Sequence, residues 1–238
     1  DVLGSRGLGD VYKRQGTYKY EDFDKVGDTY TLKRNVPYFS SESNTQPGMP
    51  KYADLNGDGI IDDNDRTMIG NGMPKHTGGF TNNFEYKGFD LSIFFQWSYG
   101  NDVLNANRLF FENSNKTRDL NQYASYADRW TTENPESNIP RATDSGSNKV
   151  FSTRIIEDGS FLRLKTVSLG YTLPKQLTKK WKIDNARVFV AGQNLWTCTG
   201  YSGYDPEVSI REGALTPGLD FSAYPRAYSI SFGVNLGF

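Results

Sequence analysis

Residues 228–238, YSISFGVNLGF, alternate without a break. Tyr228, Ile230, Phe232, Val234, Leu236 and Phe238 are apolar or aromatic, and Ser229, Ser231, Gly233, Asn235 and Gly237 between them are small or polar. Side chains of a strand point alternately to its two faces, so this period of two gives one greasy face and one polar face. A soluble sandwich strand shares that pattern. A strand that runs to the last residue and closes on an aromatic also matches the ending of outer-membrane β-barrels. There the greasy face meets lipid, the small polar face meets the lumen, and the aromatic sits at the interface.

Composition agrees with a barrel wall. The chain has 238 residues, 14% aromatic and 23% charged, with a net charge of −1. Its mean hydropathy is −0.65, and it holds no apolar run long enough for a transmembrane helix. Barrels hide their hydrophobicity in alternation and dilute it with polar outer loops. A net charge near zero argues against a nucleic-acid surface, so no nucleic-acid partner is expected. Cys198 is the single cysteine, so no internal disulfide forms and the redox compartment is not readable from it. The start, DVLGSRGLGDVYKRQ, has no apolar signal-peptide core. Its GLGDVYKRQ stretch resembles translated sequencing-adaptor read-through. Residues 1–15 are therefore set aside as a non-native or disordered prefix, with the true start of an exported protein expected upstream.

Four earlier segments repeat the alternation. Phe80, Phe84 and Tyr86 alternate with polar residues up to Lys87-Gly88, a tight-turn signal. The return strand carries Phe89, Leu91, Ile93, Phe95 and Trp97 on one face and Asp90, Ser92 and Gln96 on the other, with Phe94 out of pattern. Val167, Leu169, Tyr171 and Leu173 form a third greasy face, although Arg163 and Lys165 share its parity. Either a bulge shifts the register there, or these two lie beyond the bilayer rim. Residues 186–194 make a fourth strand with weaker alternation. The apolar set, with Ile230, Phe232, Val234 and Leu236, is expected on one outward face. Ser92, Gln96, Ser168, Thr172, Ser231 and Asn235 are expected on the other.

Connection lengths orient these strands. Lys87-Gly88 is short, and residues 174–184 form a moderate, basic turn with Lys175, Lys179, Lys180 and Lys182. Residues 100–160 and 198–225 are long and polar. Bacterial barrels have short periplasmic turns and long extracellular loops. Strands 80–86, 161–173 and 226–238 then run down and 89–99 and 186–197 run up, which brings the last strand to the periplasm. Five strands do not close a barrel, so a C-terminal piece of a longer protein is expected.

Residues 54–65, DLNGDGIIDDND, fit the calcium-loop pattern D-x-[DN]-x-[DN]-G. Asp54, Asn56 and Asp58 supply oxygens at loop positions 1, 3 and 5, and Gly59 permits the sharp turn. Ile60 offers its carbonyl, Asp62 acts through water, and Asp65 closes the loop. These hard oxygen donors suit Ca²⁺. Asp65 is shorter than the usual closing Glu, and Pro47 and Pro50 disfavour an entering helix, so a single dockerin-like loop is the expectation. The alternative is an Asx- and Gly-rich turn without an ion.

A family resemblance follows from several motifs taken together. Residues 47–59 (PGMPKYADLNGDG), 65–70 (DRTMIG), 79–91 (GFTNNFEYKGFDL) and 157–165 (EDGSFLRLK) look like the SusC/RagA family of TonB-linked outer-membrane transporters of Bacteroidota-type bacteria. So do residues 169–174 (LGYTLP), 192–195 (GQNL) and 201–207 (YSGYDPE). The resemblance covers residues 16–238. It implies an all-β fold, here the C-terminal part of a large antiparallel transmembrane β-barrel with long extracellular loops. It also implies import of oligosaccharides or peptides with a SusD-like surface lipoprotein, driven by the TonB complex through a region outside this chain. Phe232, Val234, Leu236 and Phe238 would then be read as an assembly signal by the insertion machinery.

Signals for catalysis are missing. His76 is the single histidine, and no serine elbow, HExxH, P-loop or GxGxxG motif is present, so no enzyme is expected. Tyr123, Tyr126, Trp130, Tyr201 and Tyr204 are candidate sugar-stacking residues, with loop packing the favoured alternative. Trp97, Tyr99 and Trp196 suit an interfacial belt. Spacing over residues 118–132 predicts a short loop helix. The rival to the transporter is a secreted calcium-dependent glycan-binding β-sandwich. A glycoside hydrolase would need two placed carboxylates that the sequence does not single out.

Overall fold

The computed structural model describes residues 11–113, 121–142, 150–207, 209 and 217–238. The chain divides into two compact units. One holds residues 74–101, 158–208 and 224–238, and the other holds residues 1–73, 102–157 and 209–223.

The first of these is a single five-stranded antiparallel sheet in which each strand pairs with the next along the chain. Its strands are β1 (His76–Tyr86), β2 (Phe89–Tyr99), β3 (Phe161–Thr172), β4 (Asn185–Thr199) and β5 (Ser229–Gly237). β-branched and aromatic residues at many alternate positions favour the pleated conformation. Lys87 and Gly88 both have positive φ, +46° and +88°. That is the conformation of a two-residue type I′ turn, whose twist matches the strands it joins. β1 and β5 are the two edges of the sheet.

The other unit is built from short pairings rather than long strands. Val11–Tyr12 pairs with Arg66–Thr67, Arg14–Thr17 with Pro50–Tyr52, and Phe23–Val26 with Thr29–Leu32. Tyr38–Phe39 runs parallel to Ile60–Ile61, and Asp102–Asn105 runs parallel to Leu219–Asp220. Three small cores hold it, centred on Leu104, Leu109 and Ile155, on Tyr12, Tyr52 and Ile61, and on Tyr18, Phe23 and Leu32. Residues 11–15, assigned to the prefix from sequence, take part in this fold: Val11 and Tyr12 are buried and paired. Residues 1–10 lie outside the described residues. Of the helix expected over residues 118–132, Ala124–Asp128 form a 3-10 helix, and residues 121–123 and 129–132 are not helical. Residues 118–120 lie outside the described residues. No helix among the described residues is long and apolar enough to cross a membrane, which bears on helices alone.

Candidate functional site

Register across the sheet sorts its side chains. Directly paired residues share a face. Tyr86, Phe89, Tyr171, Val188 and Val234 stand in one row across all five strands. Phe84, Leu91, Leu169, Val190 and Phe232 form the next row, and Asn82, Ile93, Val167, Gly192 and Ile230 the third. Phe80, Phe95, Leu164 and Trp196 form a fourth, with Phe80 and Phe95 stacked at 5.0 Å. The opposite face carries rows such as Asn83, Ser92, Ser168, Ala191 and Ser231. Every residue assigned to either face from the alternation lies on the expected one.

The apolar rows are uncovered. Phe84 is 58% exposed, Ile230 56% and Phe232 82%. In water this would be a large hydrophobic liability. Both ends of the face carry exposed aromatics, with Tyr86, Phe89 and Phe238 at the short-turn end and Tyr99 and Trp196 at the other. Trp97 donates through Nε1 to His76 Nδ1 at 3.1 Å, and His76 stacks on Tyr99. His76 is exposed and opens β1. From Phe89 to Tyr99, strand rise gives roughly 33 Å, and a tilt of about 40° reduces this to the ~25 Å height of a lipid-facing band.

A bulge resolves the parity conflict in β3. Leu164 and Thr166 pair with Phe95 and Phe94 of β2, which leaves Lys165 unmatched. On the β4 side the same step faces Asn194, whose φ is +53°. The extra residue flips the strand, so Leu162 and Leu164 join the apolar rows and Arg163 turns to the polar face. Arg163 is only 2% exposed there. Its Nη2 donates to Asp205 Oδ1 at 2.5 Å, and Nη1 lies 3.3 Å from Glu207 Oε2. Asp205 also accepts the amides of Glu207 at 3.0 Å and Arg226 at 3.1 Å. Burial pushes the Asp205 carboxyl up, but the Arg163 guanidinium and these two amides outweigh it and hold it below the usual carboxylate range. Lys165 and Arg226 complete the cluster at Glu207, at 3.6 and 2.9 Å.

A second ion pair spans β3 on the same face. Arg187 of β4 donates to Asp90 of β2 at 2.9 and 2.5 Å. The pair passes over Gly170, where an added Cβ would fall 2.3 Å from Arg187 Nη2 and 2.5 Å from Asp90 Oδ1. Glycine is required there for close approach. Gly233 likewise makes room for Phe189, and Gly79 for Phe94, the aromatic that broke the alternation.

In the other unit, the loop at 54–65 is closed by its own hydrogen bonds. Asp54 accepts the amides of Gly57 at 2.6 Å and Gly59 at 2.8 Å. Asn56 Oδ1 accepts from Asp58, and Asp58 Oδ1 accepts from Ile60. Asp62 accepts from Asn64. Gly57 and Gly59 have φ of +80° and +84°, as the sharp turn demands. Fully buried Asp65 accepts from Leu55 at 2.7 Å and from Asp62 at 2.9 Å. Burial pushes its carboxyl up, while these amides and that of Asn56 bring it below its ordinary value. Among the described residues no three His, Cys, Asp or Glu side chains are gathered as a metal cluster. The side chains of Asp54, Asn56, Asp58, Asp62 and Asp65 each accept from loop amides, with lone pairs remaining.

The aromatic candidates divide. Tyr126 and Trp130 are buried, Trp130 tilted against Tyr20 at 5.6 Å with Arg141 over its ring. Tyr123 packs on Phe111. In the sheet unit Tyr201 is buried, and Tyr204, 81% exposed, alone presents its ring to a surface. Two features went unseen in the sequence. One is a cluster in which Glu112 binds Arg108 at 3.1 Å and also Arg154. The other is a cavity of about 530 Å³ lined by Tyr18, Phe39, Asn44, Gln46 and Tyr52.

No family model matches the chain. It aligns over 95% of its length with TonB-dependent receptor P3 of Formosa agariphila at 34% identity. With TonB-dependent receptor P26 of that organism it is 39% identical over 80% of its length. With TonB-dependent receptor SusC of Bacteroides thetaiotaomicron it is 28% identical over 83%. Among solved structures, the RagAB peptide transporter superposes with a TM-score of 0.70 at 26% identity, covering 96% of this chain and 22% of that one. The chain spans 22%, 20% and 18% of the three curated relatives, about a fifth of their length.

Proposed function

Because the chain belongs to the SusC/RagA type of TonB-dependent receptor, we propose that it supplies wall strands and extracellular loops of an outer-membrane importer in a Bacteroidota-type bacterium. The importer takes up oligosaccharides or peptides with a SusD-like lipoprotein and draws energy from the TonB complex through a region outside this chain. No catalytic step is assigned to it. The observation that carries this reading is the uncovered apolar face, whose rows run across all five strands between two sets of exposed aromatics. A secreted glycan-binding sandwich would bury such rows against a second sheet, and no sheet covers them among the described residues.

The reading is tested by expressing the full-length protein in its host. It should fractionate with the outer membrane, and its deletion should abolish TonB-dependent uptake of one glycan or peptide class while leaving other substrates unaffected. Recovery as a soluble secreted protein would overturn the proposal. Two finer assignments rest on the same reading. Phe232, Val234, Leu236 and Phe238 form the assembly signal. Ending this chain at Gly237 should then lower the heat-modifiable, folded fraction, and an unchanged fraction would leave β5 as wall only. The loop formed by Asp54, Asn56, Asp58, Ile60, Asp62 and Asp65 binds Ca²⁺, supported by its spacing and its two positive-φ glycines.

A further inference from the structure

The connection between β3 and β4, residues 173–184, has a character that a wall does not need. It is firmly tied at its base. Leu173 donates to the Ala186 carbonyl at 2.9 Å, and Asp184 donates to Gly237 at 2.8 Å. A helical turn, Lys175–Thr178, runs into a 3-10 turn, Lys179–Trp181, that stops at Lys182 with φ +57°. Thr178 is buried beneath it.

What the segment displays is amphipathic. Leu177 and Trp181, four residues apart, are 48% and 63% exposed. Lys175, Lys179, Lys180 and Lys182 surround them, all exposed. None of these lysines takes part in an ion pair among the described residues. Exposed Lys87 adds a further cation at this end, its Nζ over the Tyr86 ring at 5.1 Å. That hairpin is joined to β3 by the Thr172 amide and the Gly88 carbonyl at 2.8 Å. The apolar rows of the sheet end at the same level, with exposed Tyr86, Phe89 and Phe238.

An exposed Trp and Leu ringed by lysines fit the boundary between acyl chains and headgroups. Lysine stems lie along apolar surface while their ammonium groups reach outward to phosphate. Unpaired clustered cations call for an anionic partner. Short turns face the periplasm in such barrels, so the partner lies in the periplasmic leaflet. We propose that residues 173–184 form an anionic-phospholipid clamp. Leu177 and Trp181 enter the interface, and Lys175, Lys179, Lys180 and Lys182 hold the headgroup phosphate of a phosphatidylglycerol-type lipid. The inference rests on the membrane-wall reading above and adds to it a headgroup preference at a defined turn.

The test uses the full-length transporter in nanodiscs of equimolar phosphatidylglycerol and phosphatidylethanolamine, with retained lipids counted by native mass spectrometry. The wild type should retain phosphatidylglycerol over phosphatidylethanolamine by at least about fivefold, the effect of one lysine near an anionic surface. The Lys175→Gln, Lys179→Gln, Lys180→Gln, Lys182→Gln variant should lose that preference, and the matching Lys→Arg variant should keep it. Trp181→Ser should lower retention of both lipids. Equal retention of the two lipids by the wild type, or an unchanged preference in the glutamine variant, overturns the clamp. So does selective retention of lipopolysaccharide from added extract, which would place the contact in the opposite leaflet. Failure of the wild type to enter nanodiscs at all would instead contradict the wall reading, so the two failures are distinguishable.

Discussion

Asp205→Ala should unlatch the segment that Asp205 holds against the wall. The carboxylate does three things at once: it pairs with buried Arg163 and accepts the amides of Glu207 and Arg226. Both charged side chains are nearly inaccessible, at 3% and 4% exposure. Removing one partner of such a pair costs about 3–5 kcal/mol, because the other charge stays buried. Glu207, 3.3 Å from Arg163, offsets part of that, while two unpaired amides add roughly 1–3 kcal/mol. A net local loss of about 3 kcal/mol corresponds to a fall of roughly a hundredfold in hydrogen-exchange protection. The sheet ladder is independent of this contact, so exchange in β1 and β2 should not change. Arg163→Met makes a discriminating partner: it too strands a buried charge, but it leaves Asp205 to cap both amides. Peptides covering residues 201–207 and 226 should therefore lose less protection in Arg163→Met than in Asp205→Ala, by the roughly 1–3 kcal/mol of the two amides. Equal losses in the two variants, or none in Asp205→Ala, would refute the idea that Asp205 organises the segment.

Other perturbations probe other parts of the molecule. Gly170→Val must displace the Arg187–Asp90 pair and should destabilise the folded barrel by about 1–3 kcal/mol, seen as a lower transition temperature in heat-modifiable mobility, with Ser168→Ala near neutral. Asp65 has a carboxyl held below its ordinary value. Its contribution is complete above the unfolded value of about 3.9 and is lost as pH falls through the lower folded value. Protection of the Leu55 and Asp62 amides should drop on acidification from about pH 5 to 3, and Asp65→Asn, which keeps one acceptor oxygen and sets an NH₂ against the other donor, should lose protection at one of the two amides already at neutral pH. Calorimetric titration should find one Ca²⁺ per chain with a Kd of about 10⁻⁴–10⁻³ M, absent in Asp58→Ala; no heat at saturating Ca²⁺ would leave the loop as a self-closed turn.

The wall was legible because alternation is a local property. A period of two in residues 89–97 and 228–238 assigns faces whatever the partner strands are. The type I′ turn was legible for the same reason, since Lys87-Gly88 carries its own conformational preference. Arg163 was harder, because parity alone left a bulge and a rim position equally open, and only pairing with both β2 and β4 separates them. Asp205 lies 42 residues from Arg163, and no local pattern announces that contact. The Arg187–Asp90 pair depends on Gly170 of the intervening strand, again a matter of register. The unit of short pairings was least visible. Its strands are two to four residues long, too short for any period to show, and its cores join residues far apart in sequence. Residues 11–15 show no period for the same reason, and Val11 and Tyr12 pair with Thr67 and Arg66.

The central claim is that one face of the five-stranded sheet meets lipid. Spin labels placed singly at residues 89–97 of the full-length protein in bilayers, with Cys198→Ser as background, test it directly. Accessibility to oxygen should peak at Phe89, Leu91, Ile93 and Phe95, and accessibility to a water-soluble nickel chelate should peak at Asp90, Ser92 and Gln96. The two profiles should oscillate out of phase with a period of two. In-phase profiles, or oxygen accessibility that is low along the whole strand, would contradict the account.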